Sequence, residues 1–292
     1  MTSLNSNTLS RCSTDELLCW VLRGIATIAG TIVMLIVVFL IMEALPALHH
    51  VGLLRFFTDP SWHSAEGFYN LTPMLWGTLF AMTGSVLIAT PLGILSAVFC
   101  HYYAPLALAL PYRRMIELLA GIPSVVYGFW GLVVLVPLIA EIQPPGPSLL
   151  TGILILTIMI LPTITLMADA SLANVPQQYI RGAAALGLPQ WATIRGVVFP
   201  AAKSGLFTGV ILETGRAIGE TMAILMVCGN VVQIPSSIFD PIRTLTANIA
   251  LEMAYALGDH RAALFVSGLV LMAMIVALVL AAEWISRGRV YG

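Results

Sequence analysis

Charged side chains are scarce in this sequence. Of its 292 residues, 9% are Asp, Glu, Lys or Arg and 59% are hydrophobic, whereas an average soluble domain is about 25% charged. Apolar helices buried in a large soluble protein would need amphipathic surface helices elsewhere to cover them, and the sequence offers none. The shortage of charge therefore excludes an ordinary soluble domain and places the chain in a lipid bilayer.

Several chemical motifs are missing as well. No G-x-x-x-x-G-K segment occurs, so the chain lacks the loop that cradles the phosphates of ATP. The four cysteines have no metal-ligand spacing, and the five histidines are scattered over predicted loops and span ends, which argues against a metal centre. With a net charge of −1 and no basic block, nothing indicates nucleic acid. We therefore expect no catalytic residue, no metal and no nucleic-acid partner.

Long apolar runs are what the sequence has instead. A helix needs roughly 20 mainly apolar residues to cross about 30 Å of hydrocarbon. On that template we predict spans at residues 21–45, 73–100, 114–140, 149–170, 204–230 and 262–285. The first run is too long for the apolar region of a signal peptide, so we interpret it as a retained helix. The predicted fold is an all-α polytopic membrane protein with six transmembrane helices.

Basic residues are unevenly divided between the predicted loops, and short loops rich in Lys and Arg stay in the cytoplasm. One side carries Arg11, Arg23, Arg113, Arg114, Arg181, Arg195, Lys203, Arg287 and Arg289. The opposite side carries Arg55, Arg243 and Arg261. We therefore predict that both termini are cytoplasmic, with tails at residues 1–20 and 286–292 and a first outer loop at residues 46–72.

Residues 171–203 form a long connection on the predicted cytoplasmic side. Pro176 suits a helix start, QQYIRGAAALG is a helix-forming run, and Gly187 followed by a proline is a stop signal. A second short helix from about Gln190 runs toward Pro200. The pattern predicts two short helices joined by a glycine turn, which we call the knob.

The knob resembles a loop of ABC importer permeases, whose pattern is E-A-A, three residues, Gly, nine residues and I-x-L-P. Here nine residues separate Gly187 from VVFP, which ends at Pro200, and Gly182 and Ala183 occupy the small positions before it. Arg181 stands where the family has its Glu. The resemblance implies that the knob sits in a groove of a cytoplasmic ATPase, with small residues for close docking and Gly187 for the turn. Gly and Ala runs also occur at membrane helix contacts, but the fixed spacing favours the coupling role.

Four further stretches resemble one group of permeases within this family. They are GTLF…IATPLGILSAVF, ELLAGIPSVVYGFWGLVVLVP, GRAIGETMAILMVCGN and FDPIRTLTANIALEM. Together they are similar to the PstC permease subunits of phosphate-specific ABC importers, with the sister PstA subunits as the nearest alternative. The resemblance implies a type I importer permease fold with a core at residues 73–285, in the cytoplasmic membrane of a bacterium or archaeon. It also implies a PstA-like permease, two copies of a PstB-like ATPase that hold ATP and Mg, and an external PstS-like phosphate-binding protein. This chain itself is then expected to bind no cofactor.

The segment ETGRAIGE, residues 213–220, carries three ionisable groups inside the predicted fifth span. On a continuous helix, seven residues return to within about 20° of the start, so Glu213 and Glu220 share a face and Arg216 can reach either. Unpaired charges in a membrane usually face a bundle interior or an aqueous path. We predict that the three residues line the pathway as a gate, in which Arg216 pairs with Glu220 when the path is shut. The alternatives are a structural ion-pair network and a phosphate pocket, although two carboxylates would repel an anion.

Two other segments bear on transport. Pro123, in AGIPSVVYG, lies inside the predicted third span, where a proline removes a backbone hydrogen bond and bends the helix. Either this is an ordinary kink, or the break lies at the midplane and lines the pathway, because irregular backbone is tolerated there beside protein or water. The outer segment 232–261 contains the helical pattern LTANIALEMAYAL, which predicts a short helix on the outer surface near a docked solute-binding protein.

Three classes of function remain open. An ABC importer permease, for phosphate or another oxyanion, requires an ATPase, an external binding protein and either a different permease or a second copy of this chain. A proton-coupled secondary carrier would use Glu213 or Glu220 as its relay, and it would usually show a repeated half, which we do not detect. An ion channel would need a selectivity-filter segment, and none is evident.

Overall fold

The computed structural model describes the backbone of residues 6–287 and the side chains of residues 16–284. Within this part of the chain, six helical segments are long and apolar enough to cross a membrane. They are Glu16–His50, Thr72–Tyr103, Ser124–Ile142, Leu149–Ala173, Gln190–Gly219 and Gly258–Trp284. The predicted all-α class and the number of spans are confirmed.

The helices are labelled in chain order. They are α1 Ser6–His50, α2 Arg55–Thr58, α3 Thr72–Val98, α4 Leu106–Ala120, α5 Ser124–Trp130, α6 Val136–Ile142, α7 Leu149–Ala173, α8 Gln177–Ala185, α9 Gln190–Thr193, α10 Phe199–Gly219, α11 Met222–Val227, α12 Leu245–Glu252 and α13 Gly258–Arg287. A small antiparallel hairpin pairs β1, Trp62–His63, with β2, Phe68–Tyr69. Wide π-helical turns follow α3 at Phe99–Tyr103, join α5 to α6 at Gly131–Leu135 and join α9 to α10 at Ile194–Val198.

The first helix is longer than predicted. It begins at Ser6, inside the predicted tail, and continues through Pro46 to His50, so the outer loop starts after His50. The helix packs against α13, where the rings of Phe39 and Phe265 meet edge to face with centroids 5.7 Å apart. Residues 1–5 and 288–292 of the predicted tails lie outside the described residues, as do the side chains of Arg11, Arg287 and Arg289.

Helix α7 lies at the centre of the bundle, and its neighbours approach it closely through glycine. A Cβ atom on Gly84 of α3 would lie 2.6 Å from Ile153, and one on Gly93 would lie 2.7 Å from Ile164. Small residues at such contacts let helices pack tightly where lipid supplies no hydrophobic driving force. Helices α3 and α7 therefore form a closely packed scaffold against which the other spans are arranged.

Spans three and five are each broken. The break in span three falls at Pro123, where the sequence predicts a kink or a break, whereas the continuous helix predicted for span five is wrong. In span three, α4 ends at Ala120 and α5 begins after Pro123, whose backbone is extended with ψ 140°. In span five, α10 ends at Gly219, and Glu220 has extended backbone with φ −67° and ψ 129°. Proline explains the first break, whereas the second occurs without one.

Hydrogen bonds between loops show which loops lie at the same end of the bundle. At one end, Trp62 Nε1 donates to Glu252 Oε2 over 2.9 Å, and the backbone N–H of Leu149 donates to the carbonyl of Asp240 over 2.9 Å. At the other end, Gln190 Nε2 donates to the Tyr102 carbonyl over 2.6 Å. The loops after spans one, three and five thus meet at one end, called the outer end, and those after spans two and four meet at the knob end. This alternation is what six antiparallel crossings require.

Candidate translocation pathway

The helices that follow the two breaks, α5 and α11, pack against each other. Gly128 of α5 packs so closely on α11 that a Cβ atom there would lie 2.7 Å from the Cα of Ala223. Tyr127 and Ala217, which flank the two breaks, belong to the same buried cluster. Discontinuous helices that meet within a bundle are typical of substrate and ion sites in transporters.

The break in span three faces the middle of α7. Arg113 Nη2 donates to Asp169 Oδ1 over 2.9 Å toward one end of α7, and Gly131 packs against Ile155 nearer the other end. Pro123 lies between these two contacts along the span. The break at Pro123 therefore lies near mid-height of the bundle, with Pro123 itself exposed, while its role in lining the pathway stays a prediction.

Tyr127 bridges this break. Its hydroxyl donates to the carbonyl of Leu119 over 2.7 Å, and the same carbonyl also accepts from the N–H of Ile122 over 3.2 Å. Irregular backbone within a membrane requires such internal partners. The sequence analysis did not select Tyr127, although its position four residues after Pro123 places it one turn beyond the break.

Glu213 and Arg216 remain together on α10. Glu213 is buried, and its Oε2 lies 3.8 Å from Arg216 Nη1, which is too long for a hydrogen bond. The same Oε2 accepts no hydrogen bond from any described atom. The side chain of Arg216 is 37% exposed. The pair is thus a loose ion pair with a buried carboxylate and a partly open guanidinium.

Glu220 is directed elsewhere, and the expected pair of Arg216 with Glu220 is not formed. Oε1 of Glu220 accepts from the backbone N–H of Ala223 over 3.1 Å, and its carbonyl accepts from Thr246 Oγ1 over 2.8 Å. Because α10 ends at Gly219, the chain turns Glu220 toward the start of α11. The predicted shared face of Glu213 and Glu220 is therefore wrong.

This separation changes the charge balance near Arg216. With Glu220 engaged at the start of α11, Arg216 has one nearby carboxylate rather than two. A guanidinium has five donors, and the long contact with Glu213 leaves most of them open. Arg216 can therefore offer paired donors to a tetrahedral anion. Two carboxylates beside Arg216, as the sequence predicted, would have repelled such an anion.

The knob consists of α8, a turn at Gly187 and α9. Gly187 has φ +72°, in the left-handed region that favours glycine. Ala183 is buried, whereas Arg181 is exposed and donates to Gln177 Oε1 over 3.2 Å. Large apolar side chains on the knob are also exposed: Tyr179, Leu186, Leu188 and Trp191. An exposed apolar surface of this kind suits a protein partner.

The second knob helix begins at Gln190 and runs toward Pro200, as predicted, and it is continuous with the fifth span. It continues from Thr193 through the π turn into α10. Pro200 occupies the first turn of α10, where the missing N–H of proline does no harm. One nearly continuous helical rod therefore connects the knob to Arg216, near the far end of α10.

The outer end contains a buried polar network that sequence reasoning missed. Glu252 is 7% exposed, and its carboxylate accepts from Arg243 Nη1 over 2.7 Å, from His260 Nε2 over 2.8 Å and from Trp62 Nε1 over 2.9 Å. Arg243 also donates to Asn248 Oδ1 over 3.1 Å. The stretch FDPIRTLTANIALEM contains Arg243 and Glu252, but their spacing matches neither a helix turn nor a strand. The network ties the first outer loop to α12 and α13.

Helix α12 is placed differently from its prediction. A short helix is present in the outer segment, but Leu245 and Ala247 are fully buried, so it is packed into the protein rather than lying on the outer surface. Thr244 begins it by accepting a hydrogen bond from the N–H of Ala247, as N-cap residues do.

An all-helical bundle with interrupted spans and an exposed knob defines a membrane permease of the ABC importer class. Residues 89–290 match the family model described as the binding-protein-dependent transport system inner membrane component, and the chain belongs to this family. The resemblance stated from the sequence is thereby confirmed.

Similar proteins agree with this assignment. The chain is 40% identical over 245 residues to the probable ABC transporter permease protein YqgH of Bacillus subtilis, covering 82% of this chain and 79% of the relative. It is 37% identical over 245 residues to the phosphate transport system permease protein PstC of Mesorhizobium japonicum, covering 77% and 74%. A crystal structure of a bacterial ABC transporter involved in the import of the acidic polysaccharide alginate aligns with a TM-score of 0.61 and 15% identity, covering 96% of this chain and 99% of the other. The last match establishes the fold alone.

Proposed function

We propose that this chain is the permease subunit of an ATP-driven importer of inorganic phosphate. Relatives whose names refer to phosphate transport support the substrate. The observation that carries the proposal is the position of Arg216. Its guanidinium is partly exposed and lies four residues before the break in span five. Its one nearby carboxylate, Glu213, is only loosely paired with it. A guanidinium binds phosphate through two parallel hydrogen bonds, so a passing phosphate can replace Glu213 as its partner.

The proposal includes the gate, in a form that the geometry revises. Arg216 pairs with Glu213 when no anion is present and turns to phosphate when the path opens. Glu220 has a positioning role, because its hydrogen bond to Ala223 fixes the turn between α10 and α11. Pro123 supplies the break in span three that faces this turn.

The importer also needs partners. We propose a PstA-like permease as the second half of the pathway, two copies of a PstB-like ATPase that hold ATP and Mg, and an external PstS-like phosphate-binding protein. The ATPase would contact the knob through Arg181, Gly182 and the turn at Gly187, while the buried Ala183 would hold α8 against the bundle, and the motion of the ATPase would reach α10 through Pro200. Both termini and the knob end then lie on the cytoplasmic side.

The test compares purified complexes reconstituted in vesicles, with phosphate uptake and ATP hydrolysis measured together. Arg216→Gln should assemble normally but take up phosphate about 10- to 150-fold more slowly, because it loses hydrogen bonds to a charged group worth about 1.5–3 kcal/mol. Glu220→Ala removes the acceptor for the Ala223 N–H, so it should disturb the turn between α10 and α11 and slow phosphate uptake. Arg114→Gln, which removes an exposed cation at the knob end, is the control and should transport normally. Full uptake by a well-assembled Arg216→Gln complex would refute the gate.

The same preparation separates the alternative functions. Glu213 is a buried carboxyl with an unpaired oxygen, the feature that a proton-coupled carrier would use. Such a carrier would move phosphate down a pH gradient without the ATPase, and the importer should not. Inhibition of phosphate uptake by excess sulfate or molybdate, together with uptake of that ion, would instead identify another oxyanion as the substrate.

A further inference from the structure

A cavity of ≈ 550 Å³ opens between α3 and α10 toward the knob end. Most of its wall is aliphatic or aromatic, with Phe199, Leu206 and Val210 contributed by α10. Two cations, Arg195 and Lys203, belong to the same wall. Neither Glu213 nor Arg216 is part of the lining, so the cavity is distinct from the site proposed for phosphate.

Both cations belong to the knob-end part of the wall, with Phe199 and Pro200 between them, and only apolar residues of α10 line the wall beyond Lys203. Lys203 precedes Val210 by seven residues, which is about 10 Å along a helix, and Arg195 lies earlier still. The cations are therefore at the knob end of the cavity, and the apolar wall extends from them toward the interior of the bundle. A ligand with a charged head and a hydrocarbon tail matches this polarity.

The polar groups of the wall have no partners within the protein. Neither Arg195 nor Lys203 makes an ion pair or side-chain hydrogen bond with another described residue, and both are exposed. Thr90 Oγ1, on the α3 side, is buried yet has no hydrogen-bond partner among the described atoms. A buried hydroxyl without a partner is unfavourable by about 1–3 kcal/mol. The two cations thus remain available to a ligand, whereas Thr90 Oγ1 lies behind the wall surface.

We propose that this cavity binds an acidic phospholipid of the membrane. Its headgroup phosphate contacts Arg195 and Lys203, and one acyl chain lies along Leu206 to Val210. Basic pockets between transmembrane helices on the cytoplasmic side bind acidic headgroups. The inference rests on the proposed function in one respect: the proposed orientation of the chain places these two cations at the cytoplasmic surface of the membrane.

Other ligands use only part of the site. Free phosphate would pair with the cations, but the apolar wall would remove its hydration without replacing it. A neutral phospholipid would fill the apolar wall but would supply no net negative charge to the two cations. An acidic phospholipid satisfies the cations and the hydrocarbon wall together.

A lipid bound in this cavity would contact the junction between the knob and α10. Arg195 belongs to the π turn that joins the knob to α10, and Lys203 lies one turn into α10. A lipid held by both residues braces the junction through which ATPase motion would reach Arg216. Acidic lipid should therefore increase the coupling of ATP hydrolysis to uptake as well as bind.

The binding test uses the assembled importer purified from membranes and incorporated into phosphatidylcholine vesicles with or without phosphatidylglycerol. Retained lipid is identified by native mass spectrometry in phosphate-free buffer. Each basic residue near a membrane surface is worth about 1 kcal/mol, so Arg195→Gln and Lys203→Gln should each weaken phosphatidylglycerol retention about fivefold, and the double variant about 25-fold. Arg114→Gln is the matched control, and it should retain phosphatidylglycerol like the unmodified chain.

A second variant distinguishes the lipid from a free anion. Leu206→Trp fills the apolar part and leaves both cations in place, so it should abolish retention of phosphatidylglycerol. Retention of phosphatidylglycerol by the double cation variant, or its displacement by millimolar inorganic phosphate, would overturn the proposal. Phosphate uptake that is normal in pure phosphatidylcholine without retained acidic lipid would refute the coupling consequence alone. Lipid retention without ATP-driven uptake would count against the proposed function and not against this site.

Discussion

Glu213 and Glu252 are both 7% exposed, yet their surroundings give them different roles. The carboxylate of Glu252 accepts three short hydrogen bonds at the outer end. Glu213 has a 3.8 Å contact with Arg216 and an oxygen without a hydrogen-bond partner among the described atoms. A buried carboxylate whose oxygens all accept hydrogen bonds stabilises one arrangement of its neighbours. A buried carboxylate with an oxygen that accepts none can change partners without breaking strong hydrogen bonds. Glu252 therefore suits a structural role and Glu213 a switch.

At this residue scale, the outer network predicts a large stability effect. Glu252→Ala leaves the largely covered Arg243, whose side chain is 19% exposed, without its carboxylate, and removing one member of a buried pair destabilises by about 3–5 kcal/mol. Thermal unfolding of the purified complex should therefore occur at a clearly lower temperature. Glu43→Ala is the control, because Glu43 lies 3.5 Å from Arg261 in a more exposed pair worth about 0–1 kcal/mol. Equal shifts for the two variants would contradict the structural role of the network.

At the scale of elements, the contact between the two broken spans depends on a glycine. A Cβ atom at Gly128 would lie 2.7 Å from the backbone of Ala223, so Gly128→Ala must push α5 and α11 apart. Overpacking of this kind is unfavourable by about 1–3 kcal/mol. We expect lower stability and slower phosphate uptake, measured in vesicles as above.

A control for this contact is available in the first helix. A Cβ atom added at Gly24 of α1 would have no described atom within 4 Å. Gly24→Ala should preserve both stability and uptake. If Gly128→Ala behaved like this control, the two breaks would not depend on close contact, and their joint role in the pathway would lose its support.

The knob makes a second prediction at this scale. Gly187→Val places a β-branched residue at φ +72°, which is unfavourable by at least about 1–2 kcal/mol and should reshape the turn between α8 and α9. We expect ATP hydrolysis to continue while phosphate uptake falls. The comparison is Gly196→Ala, in the π turn, where no described atom lies within 4 Å of the added carbon. Full coupling in Gly187→Val would remove the coupling assignment from the knob.

At the scale of the whole molecule, the alternation of loops predicts labelling from opposite sides. Ser236 lies at the outer end and Gln190 at the knob end, and both residues are exposed, so each can be replaced by a single cysteine. In a cysteine-free background, an impermeant thiol reagent added to intact cells should modify Ser236→Cys and not Gln190→Cys. Ser148 is unsuitable for this purpose because it is 1% exposed. Labelling of Gln190→Cys from outside would reverse the proposed orientation.

Much of the architecture was predictable because membrane insertion depends on local composition. Any run of about 20 apolar residues is driven into the hydrocarbon wherever it lies in the chain, which is why six spans were predicted correctly. Backbone chemistry is equally local. Pro123 has no N–H to continue a helix, and Gly187 adopts φ +72° because it has no Cβ.

The arrangement of charges was decided by tertiary structure. No proline ends α10 at Gly219, and the turn at Glu220 exists where Ala223 and Thr246 supply hydrogen bonds to its carboxylate and carbonyl. Trp62 and Glu252 meet across 190 positions of sequence, a distance that no periodic pattern encodes. The sequence alone therefore determined which segments cross the membrane and where proline and glycine interrupt or turn them. Folding decided which ionisable groups pair, because their partners come from segments that are brought together by packing.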